Sequence, residues 1–237
     1  MGTLKRVIEY IVSTNIDDRI LHKSSRLLSE GGLLGVPSDT SWVVVCSLNS
    51  KDGIKKLRKI SGERDERHFT LLCSDISQFG EFCSIDNSRF RLLKRLSPGP
   101  YVFILKTLLG TEKTLQLRRG EIGVRIPDHP VPVELIKALG SPLYSVTAKR
   151  SMVGEDSEDY PVYFEVKHGE GHSPEAGHLP PIPEEELFEG GWELEAIDGL
   201  DLILDTGEER PRIFSTILDV SGDEVTPLRV GAGNWPV

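Results

Sequence analysis

The chain has 237 residues, a formal net charge of −9 and a sequence pI of about 5.2. This length suits one large domain or two small ones, and the acidic balance argues against broad binding to nucleic acid or anionic membranes. No apolar run approaches a membrane span, and the first residues lack a signal-type cleavage site. Cys46, Cys73 and Cys83 lie in or beside apolar runs, which favours free buried thiols, so we expect a cytoplasmic protein.

Helical and strand patterns alternate along the chain. Strands are predicted at 33–37, 42–48, 69–73, 101–107, 123–127, 142–148, 201–207, 215–222 and 224–230. Helices are predicted at 16–30, 52–60, 77–83, 87–96 and 131–140. Helices between buried strands indicate a three-layer α/β domain, and consecutive strands at each end indicate some antiparallel pairing, so we expect a mixed sheet.

Residues 151–197 break this pattern, because they are rich in Glu, Gly, Pro and His and show no period. We interpret them as an acidic insertion, partly loop, in a single domain formed by 1–150 and 198–237, with one short helix near 183–189. His168, His172 and His178 are separated by Gly and Pro, which gives them no rigid spacing. A solvated loop is therefore favoured over a metal site, and we predict none.

Four polar clusters stand at the ends of predicted strands, where open α/β sheets bind ligands. Hydroxyls and guanidiniums donate hydrogen bonds to phosphate and carboxylate oxygens, although any single cluster could equally cap a turn or lie on the surface. Together they favour an anion site. The clusters are 38–40, 62–70, the group Arg125, Ser145, Thr147 and Lys149, and the group Ser215, Thr216 and Arg229.

Six short motifs, in order and spacing, resemble the motif series of the YrdC-like family. They are PSDT at 37–40, PGP at 98–100, GVRIP at 123–127, SVTA at 145–148, STILD at 215–219 and LRVG at 228–231. The resemblance is closest to the YciO-type branch and covers about 20–150 and 198–232. It implies a YrdC-like three-layer fold, a twisted mixed β-sheet with helices on both faces around a concave cavity.

The resemblance also implies an activity, the synthesis of threonylcarbamoyladenylate from L-threonine, bicarbonate and ATP with Mg²⁺, for tRNA modification. A carbamate must attack the α-phosphate, so cations have to neutralise two anions. The family's roles carry over to matched positions. Those for L-threonine are Ser38, Thr70, Arg125, Ser145 and Ser215, and those for the nucleotide are Thr147 and Arg229.

The chain departs from the family's K-x-R motif, which falls on Ser61-Gly62-Glu63. The replacement removes two positive charges and adds a negative one beside the expected ATP site, which opposes the chemistry. Three other cations are the catalytic candidates, Arg64, Arg67 and Lys149, the last standing where the family has Asn. Glu121 replaces a nucleotide-side threonine, and Trp42 is predicted to fill core.

Two alternatives to an enzyme stay open. One is a non-catalytic protein that binds a nucleotide, double-stranded RNA or tRNA, with local basic segments at 51–59 and 89–95, although the net charge weakens this hypothesis. A steep loss of RNA affinity with salt would separate it from the enzyme. The other is an interaction protein that works through the insertion, for which deletion of 155–195 would abolish partner binding.

Overall fold

The structure is a computed structural model that describes residues 7–62, 68–111, 117, 120–153, 179 and 181–236. Within these residues the strands are β1 (Val7–Tyr10), β2 (Leu34–Val36), β3 (Val43–Ser47), β4 (Thr70–Leu72), β5 (Tyr101–Lys106), β6 (Glu121–Arg125), β7 (Leu143–Thr147), β8 (Leu202–Asp205), β9 (Thr216–Asp219) and β10 (Thr226–Arg229). The helices are α1 (Asp18–Ser29), α2 (Lys51–Ser61), α3 (Ile76–Phe82), α4 (Asn87–Leu96) and α5 (Pro130–Leu139). Short 3₁₀ turns occupy Arg150–Met152, Glu184–Glu186 and Gly191–Ala196.

The helices begin and end where local chemistry favours it. A polar side chain before each helix accepts a hydrogen bond from a first-turn N–H, as Ser50 does from Gly53 at 3.1 Å. Helices α2 and α5 stop at Gly62 and Gly140, whose φ angles of 64° and 72° lie in the left-handed region that favours glycine. None of the described helices has the length and apolar character to cross a membrane.

All ten strands form one sheet in the order β1-β8-β2-β3-β7-β4-β6-β5-β9-β10. The pairs β1–β8, β2–β8, β4–β6 and β5–β9 are parallel, and the other five are antiparallel. The predicted mixed sheet is therefore confirmed. Strand β1 was not predicted from the sequence, and it joins the sheet through β8, which lies nearly two hundred residues later in the chain.

Apolar side chains cover both faces of the sheet but leave part of one face polar. Helices α2, α3 and α4 pack on one face, in a large cluster that includes Leu57, Phe79 and Leu93. Helices α1 and α5 pack on the opposite face over β2, β3 and β8. A small third cluster lies over β5, β9 and β10. The part of the sheet face between the α1–α5 cluster and this third cluster carries hydroxyls and cations.

The last part of the predicted insertion belongs to the core. Leu187, Phe188, Leu194 and Ile197 are fully buried in the largest cluster, and bridges join Lys149 to Leu187 and Val153 to Ile197. The predicted short helix near 183–189 corresponds to the 3₁₀ turn Glu184–Glu186. The rest of the insertion, 154–178 and 180, lies outside the described residues, and with it the three histidines of the excluded metal site.

Two smaller predictions about buried side chains are confirmed. Trp42 is fully buried in the core, where its Nε1 donates to the backbone oxygen of Glu189 at 3.0 Å. The three cysteines are free and buried. Burial raises the pKa of the Cys46 and Cys83 thiols to about 12, so these groups stay protonated and pack as small apolar side chains.

Candidate functional site

A polar pocket opens on the sheet face between the α1–α5 layer and the third apolar cluster. It is a narrow cleft with a cavity volume of about 30 Å³, which becomes about 520 Å³ when all the open space between its walls and at its mouth is counted. Strand register brings its hydroxyls together, because Thr70 on β4 lies opposite Ser145 on β7. Their neighbours Leu71 and Tyr144 pack into the core on the other face, so alternation along the strands turns both hydroxyls toward the pocket. Its polar lining is His68, Thr70, Arg125, Ser145, Thr147, Lys149, Ser215 and Arg229.

Arg125 is fixed at one end of this pocket by four hydrogen bonds. Its Nε donates to the Gly99 backbone oxygen at 3.1 Å, and its Nη1 donates to Thr40 Oγ1 at 3.1 Å and Ser215 Oγ at 2.6 Å. Its Nη2 donates to Asp39 Oδ1 at 2.7 Å in a buried ion pair. Burial lowers the pKa of Arg125, and Asp39 partly offsets this, yet a guanidinium stays charged in proteins. A guanidinium has five N–H groups, so one on Nη2 is left for a ligand.

The 37–41 loop does not line the pocket, and two of its side chains accept hydrogen bonds from Arg125. Ser38 is buried but is not among the lining residues, because its Oγ donates to the Ser41 backbone oxygen at 2.6 Å. It also lies 3.2 Å from Thr40 Oγ1, which accepts from Arg125. Any effect of Ser38 on the predicted threonine site would therefore act through Thr40 and Arg125.

Three hydroxyls on β4 and β7 face the pocket with hydrogen-bonding capacity left. Ser145 Oγ donates to the Thr70 backbone oxygen at 2.9 Å, which leaves its lone pairs to accept from a ligand. Thr70 has 8% of its surface exposed, and its Oγ1 makes no hydrogen bond to another described residue. The same holds for Thr147 Oγ1. Neither Oγ1 is among the buried side-chain atoms that lack a hydrogen-bond partner, so both hydroxyls are open to the pocket and can donate to or accept from a polar ligand.

Ser215 links the two arginines of the pocket. Its Oγ accepts from Arg125, and its backbone oxygen accepts from Nε and Nη2 of Arg229 at 3.3 and 3.2 Å. The Arg229 guanidinium also stacks on Phe214, 4.8 Å from the ring centroid. Arg229 is therefore held by its neighbours, and a ligand would meet a preorganised cation.

The electrostatics of the pocket favour an anion. Arg125, Lys149 and Arg229 line it, and no carboxylate stands among its described lining residues. Asp39 neutralises Arg125 from behind, and the other two cations of the lining, Lys149 and Arg229, lie at the β7 and β10 side of the pocket. A negatively charged group is therefore expected toward β7 and β10.

Several predicted residues fall elsewhere. Arg64 and Arg67 lie outside the described residues. Ser61, in the position of the family lysine, ends α2 and donates to the Arg58 backbone oxygen at 3.1 Å. Glu121 accepts from Ser221 Oγ at 3.2 Å and does not line the pocket. Among the candidate catalytic cations, the structure brings only Lys149 to the pocket wall in its described part.

Two contributors lie inside the polar clusters that the sequence predicted, although neither was given a role of its own. His68 follows the charged 62–67 stretch and lines the pocket. Asp39 stands inside the PSDT motif and was assigned no role, although a carboxylate next to arginine-binding hydroxyls is a usable signal for an ion pair. No group of three His, Cys, Asp or Glu side chains among the described residues is placed to hold a metal ion.

The family model named Sua5_yciO_yrdC, described as "Telomere recombination", matches residues 26–158, more than half of the chain. The chain belongs to the Sua5/YciO/YrdC family. The predicted family is thus confirmed, and the family includes threonylcarbamoyl-AMP synthases.

The fraction of a relative's length that this chain covers differs between relatives. The uncharacterised protein YciO of Escherichia coli is 33% identical over 139 residues, 58% of this chain and 68% of YciO. The threonylcarbamoyl-AMP synthase of Mus musculus is 26% identical over 52% of this chain but only 44% of that protein. The chain therefore matches less than half of the mouse enzyme.

Solved structures confirm the predicted fold. The crystal structure of E. coli YciO superposes with a TM-score of 0.74 and 26% identity over 98% of both chains. Sua5 of P. abyssi complexed with L-threonine gives a TM-score of 0.72 at 18% identity, over 95% of this chain and 57% of that one. At such low identity, the second match speaks for the fold alone.

Proposed function

We propose that the protein is an adenylate-forming enzyme of threonylcarbamoyl-AMP synthase type, which binds an L-threonine-like amino acid and ATP side by side in the pocket. The observation that carries this proposal is the accessible hydroxyl of Thr70, which lines the pocket beside Ser145 and Arg125 and makes no hydrogen bond to another described residue. The threonylcarbamoyl-AMP synthase relatives support the choice of ligand.

The Arg125 end has the chemistry of an amino-acid site. The remaining N–H of Arg125 would donate to the ligand carboxylate, and Ser145 Oγ would accept from its amine. Thr70 Oγ1 would bond to either group. Because Asp39 neutralises Arg125, this end is close to electrically neutral and suits a zwitterion better than a dianion.

The other end suits phosphates. Lys149 and Arg229 would hold the triphosphate, and Thr147 would donate its hydroxyl to the nucleotide. The described lining offers no carboxylate to a metal, so Mg²⁺ is proposed to enter as part of the ATP–Mg²⁺ substrate. Arg64 and Arg67 remain predicted contributors from outside the described residues.

The proposed reaction has two steps. The threonine amine and bicarbonate give a carbamate with loss of water. A carbamate oxygen then attacks the α-phosphorus, the new P–O bond forms, and the bond to the β-phosphate oxygen breaks to release pyrophosphate. The pocket cations would neutralise the two anions that meet in this step, and the rigid Arg125 network would keep the amino acid oriented toward the nucleotide.

The test is pyrophosphate release with ATP–Mg²⁺, bicarbonate and L-threonine present together, and with each left out in turn. We expect release only with all three, accompanied by a product that incorporates ¹³C from labelled bicarbonate. Thr70→Val should reduce the rate, whereas the matched change Thr226→Val on β10, which lies outside the pocket lining, should not. Binding of ATP and L-threonine without pyrophosphate release would overturn the catalytic proposal and leave a binding protein.

Two further expectations from the sequence stay predictions. One is use of the adenylate product in tRNA modification. The other is the alternative function, non-catalytic binding of double-stranded RNA, for which α2 and α4 carry exposed cations within the residues that the structure describes.

A further inference from the structure

A second concave surface lies between α4 and the β9–β10 hairpin. This surface, here the α4 groove, encloses about 870 Å³ including its open mouth. Arg89 fastens the hairpin to the helix, since its Nε donates to the Val220 backbone oxygen at 2.7 Å and it also bonds Gly222 and pairs with Asp86. The groove is thus a fixed feature of the fold.

The two walls of the groove carry opposite charges. Arg91 and Arg95 project from α4, and Asp223 and Glu224 project from the tip of the hairpin. All four are exposed, and none forms an ion pair or hydrogen bond with another residue that the structure describes. Side chains of opposite sign that face one groove without pairing inside the chain are available to a partner.

The groove also offers apolar contact. Leu92 is half-buried in its floor, and Val225 at the hairpin tip has 38% of its surface exposed. Pairing through the sheet edge is disfavoured, because Pro227 in the edge strand β10 lacks an N–H. Docking here would therefore go through side chains and not through an added strand.

We infer that the α4 groove is a self-association face, in which the hairpin tip of one copy docks against α4 of a second copy. In a dimer with two-fold symmetry, both copies use the same patch, so the patch must be complementary to itself. If a residue on one wall contacts a residue on the other wall of the partner, the same contact occurs a second time with the two copies exchanged. A basic wall beside an acidic wall meets this requirement: Asp223 and Glu224 of each copy approach Arg91 and Arg95 of the other. An acidic peptide would satisfy only one wall.

The experiment is sedimentation velocity on the full chain over a concentration series at low and high salt. We expect a monomer–dimer equilibrium that weakens with salt, because the pairs are only partly desolvated. Two charge-reversed proteins test the walls, R91E/R95E and D223K/E224K. Each should weaken self-association at least about tenfold, since like charges then meet across the axis.

An equimolar mixture of the two reversed proteins should restore the dimer, because both wall contacts of the mixed pair join opposite charges. Asp223 and Glu224 of one protein meet Arg91 and Arg95 of the other, and the introduced lysines meet the introduced glutamates. The matched control K55E/K94E changes two exposed cations outside the groove and should associate like the unchanged chain. Thermal unfolding checks that every variant folds. A chain that stays monomeric, or reversed proteins that associate as well as the control, would overturn the inference.

Discussion

The guanidinium of Arg125 and the carboxylate of Asp39 form a buried ion pair at 2.7 Å, with 4% and 12% of their side-chain surfaces exposed. Arg125 lines the pocket, whereas Asp39 contacts Arg125 from outside the lining. Asp39 thus does two things at once, as it neutralises a buried cation and fixes the direction of its last free N–H. The proposed recognition of an amino acid in the pocket would depend on this arrangement.

Removal of Asp39 is expected to destabilise the protein. Asp39→Asn would leave Arg125 buried with an uncompensated charge, and the free energy of unfolding should fall by about 3 kcal/mol or more. Urea unfolding measures the loss. The matched change Glu134→Gln breaks a surface pair with Lys137 and should cost less than about 1 kcal/mol. Equal effects of the two changes would show that the Asp39–Arg125 pair has no special weight.

Lys149 is expected to contribute to nucleotide binding. Lys149→Asn restores the family residue and removes a pocket cation, so the affinity for ATP–Mg²⁺ should fall about tenfold, as for the loss of one charge-assisted contact. Calorimetric titration measures the affinity, and Lys94→Asn on the exposed face of α4 is the control. Unchanged ATP affinity in Lys149→Asn would remove Lys149 from the site.

His129 should make stability depend on pH. It caps α5, its Nδ1 accepting from the Val131 N–H, and burial, with Arg210 nearby, lowers its pKa from 6.5 to about 4 against the opposing pull of Asp39, Glu208 and Asp128. The unfolded chain then binds more protons between these values, so stability is complete above about pH 6.5 and falls as the pH drops toward 4. The loss attributable to His129 between pH 7 and pH 5 is about 2 kcal/mol.

The variant His129→Asn isolates this contribution, because asparagine keeps a helix-capping oxygen but does not titrate. Urea unfolding of both proteins at the two pH values should show a smaller pH effect in His129→Asn, by about the same 2 kcal/mol. Parallel pH profiles would mean that His129 titrates normally in the folded protein.

The sequence predicted most of the sheet because its strands are short apolar runs bounded by turn residues. It missed β1, since four residues with one charged member give no clear period, and their partner β8 is remote in the chain. It placed residues 187–197 in the insertion because Glu and Gly surround the four apolar residues that pack in the core. The composition of this segment is polar on average, but its few apolar side chains are the ones that become buried in the core.

The pocket was predictable in part. Thr70, Arg125, Ser145, Thr147, Lys149, Ser215 and Arg229 were all chosen from motifs and line it. The hydrogen bonds that Arg125 makes were not predictable from the sequence, because its partners come from three distant parts of the chain and meet only in the folded sheet. These partners are Asp39, Thr40, Gly99 and Ser215. Likewise, a motif does not reveal that Ser38 uses its hydroxyl within its own loop.

The central claim is that the pocket binds an amino acid through Thr70, Ser145 and Arg125. Isothermal titration calorimetry of L-threonine in the presence of ATP–Mg²⁺ tests it most directly, with the unchanged protein, Thr70→Val and the control Thr226→Val. We predict one binding site, an affinity about tenfold weaker in Thr70→Val, and an unchanged affinity in Thr226→Val. The absence of L-threonine binding to a folded protein, or equal affinities for all three, would contradict the claim.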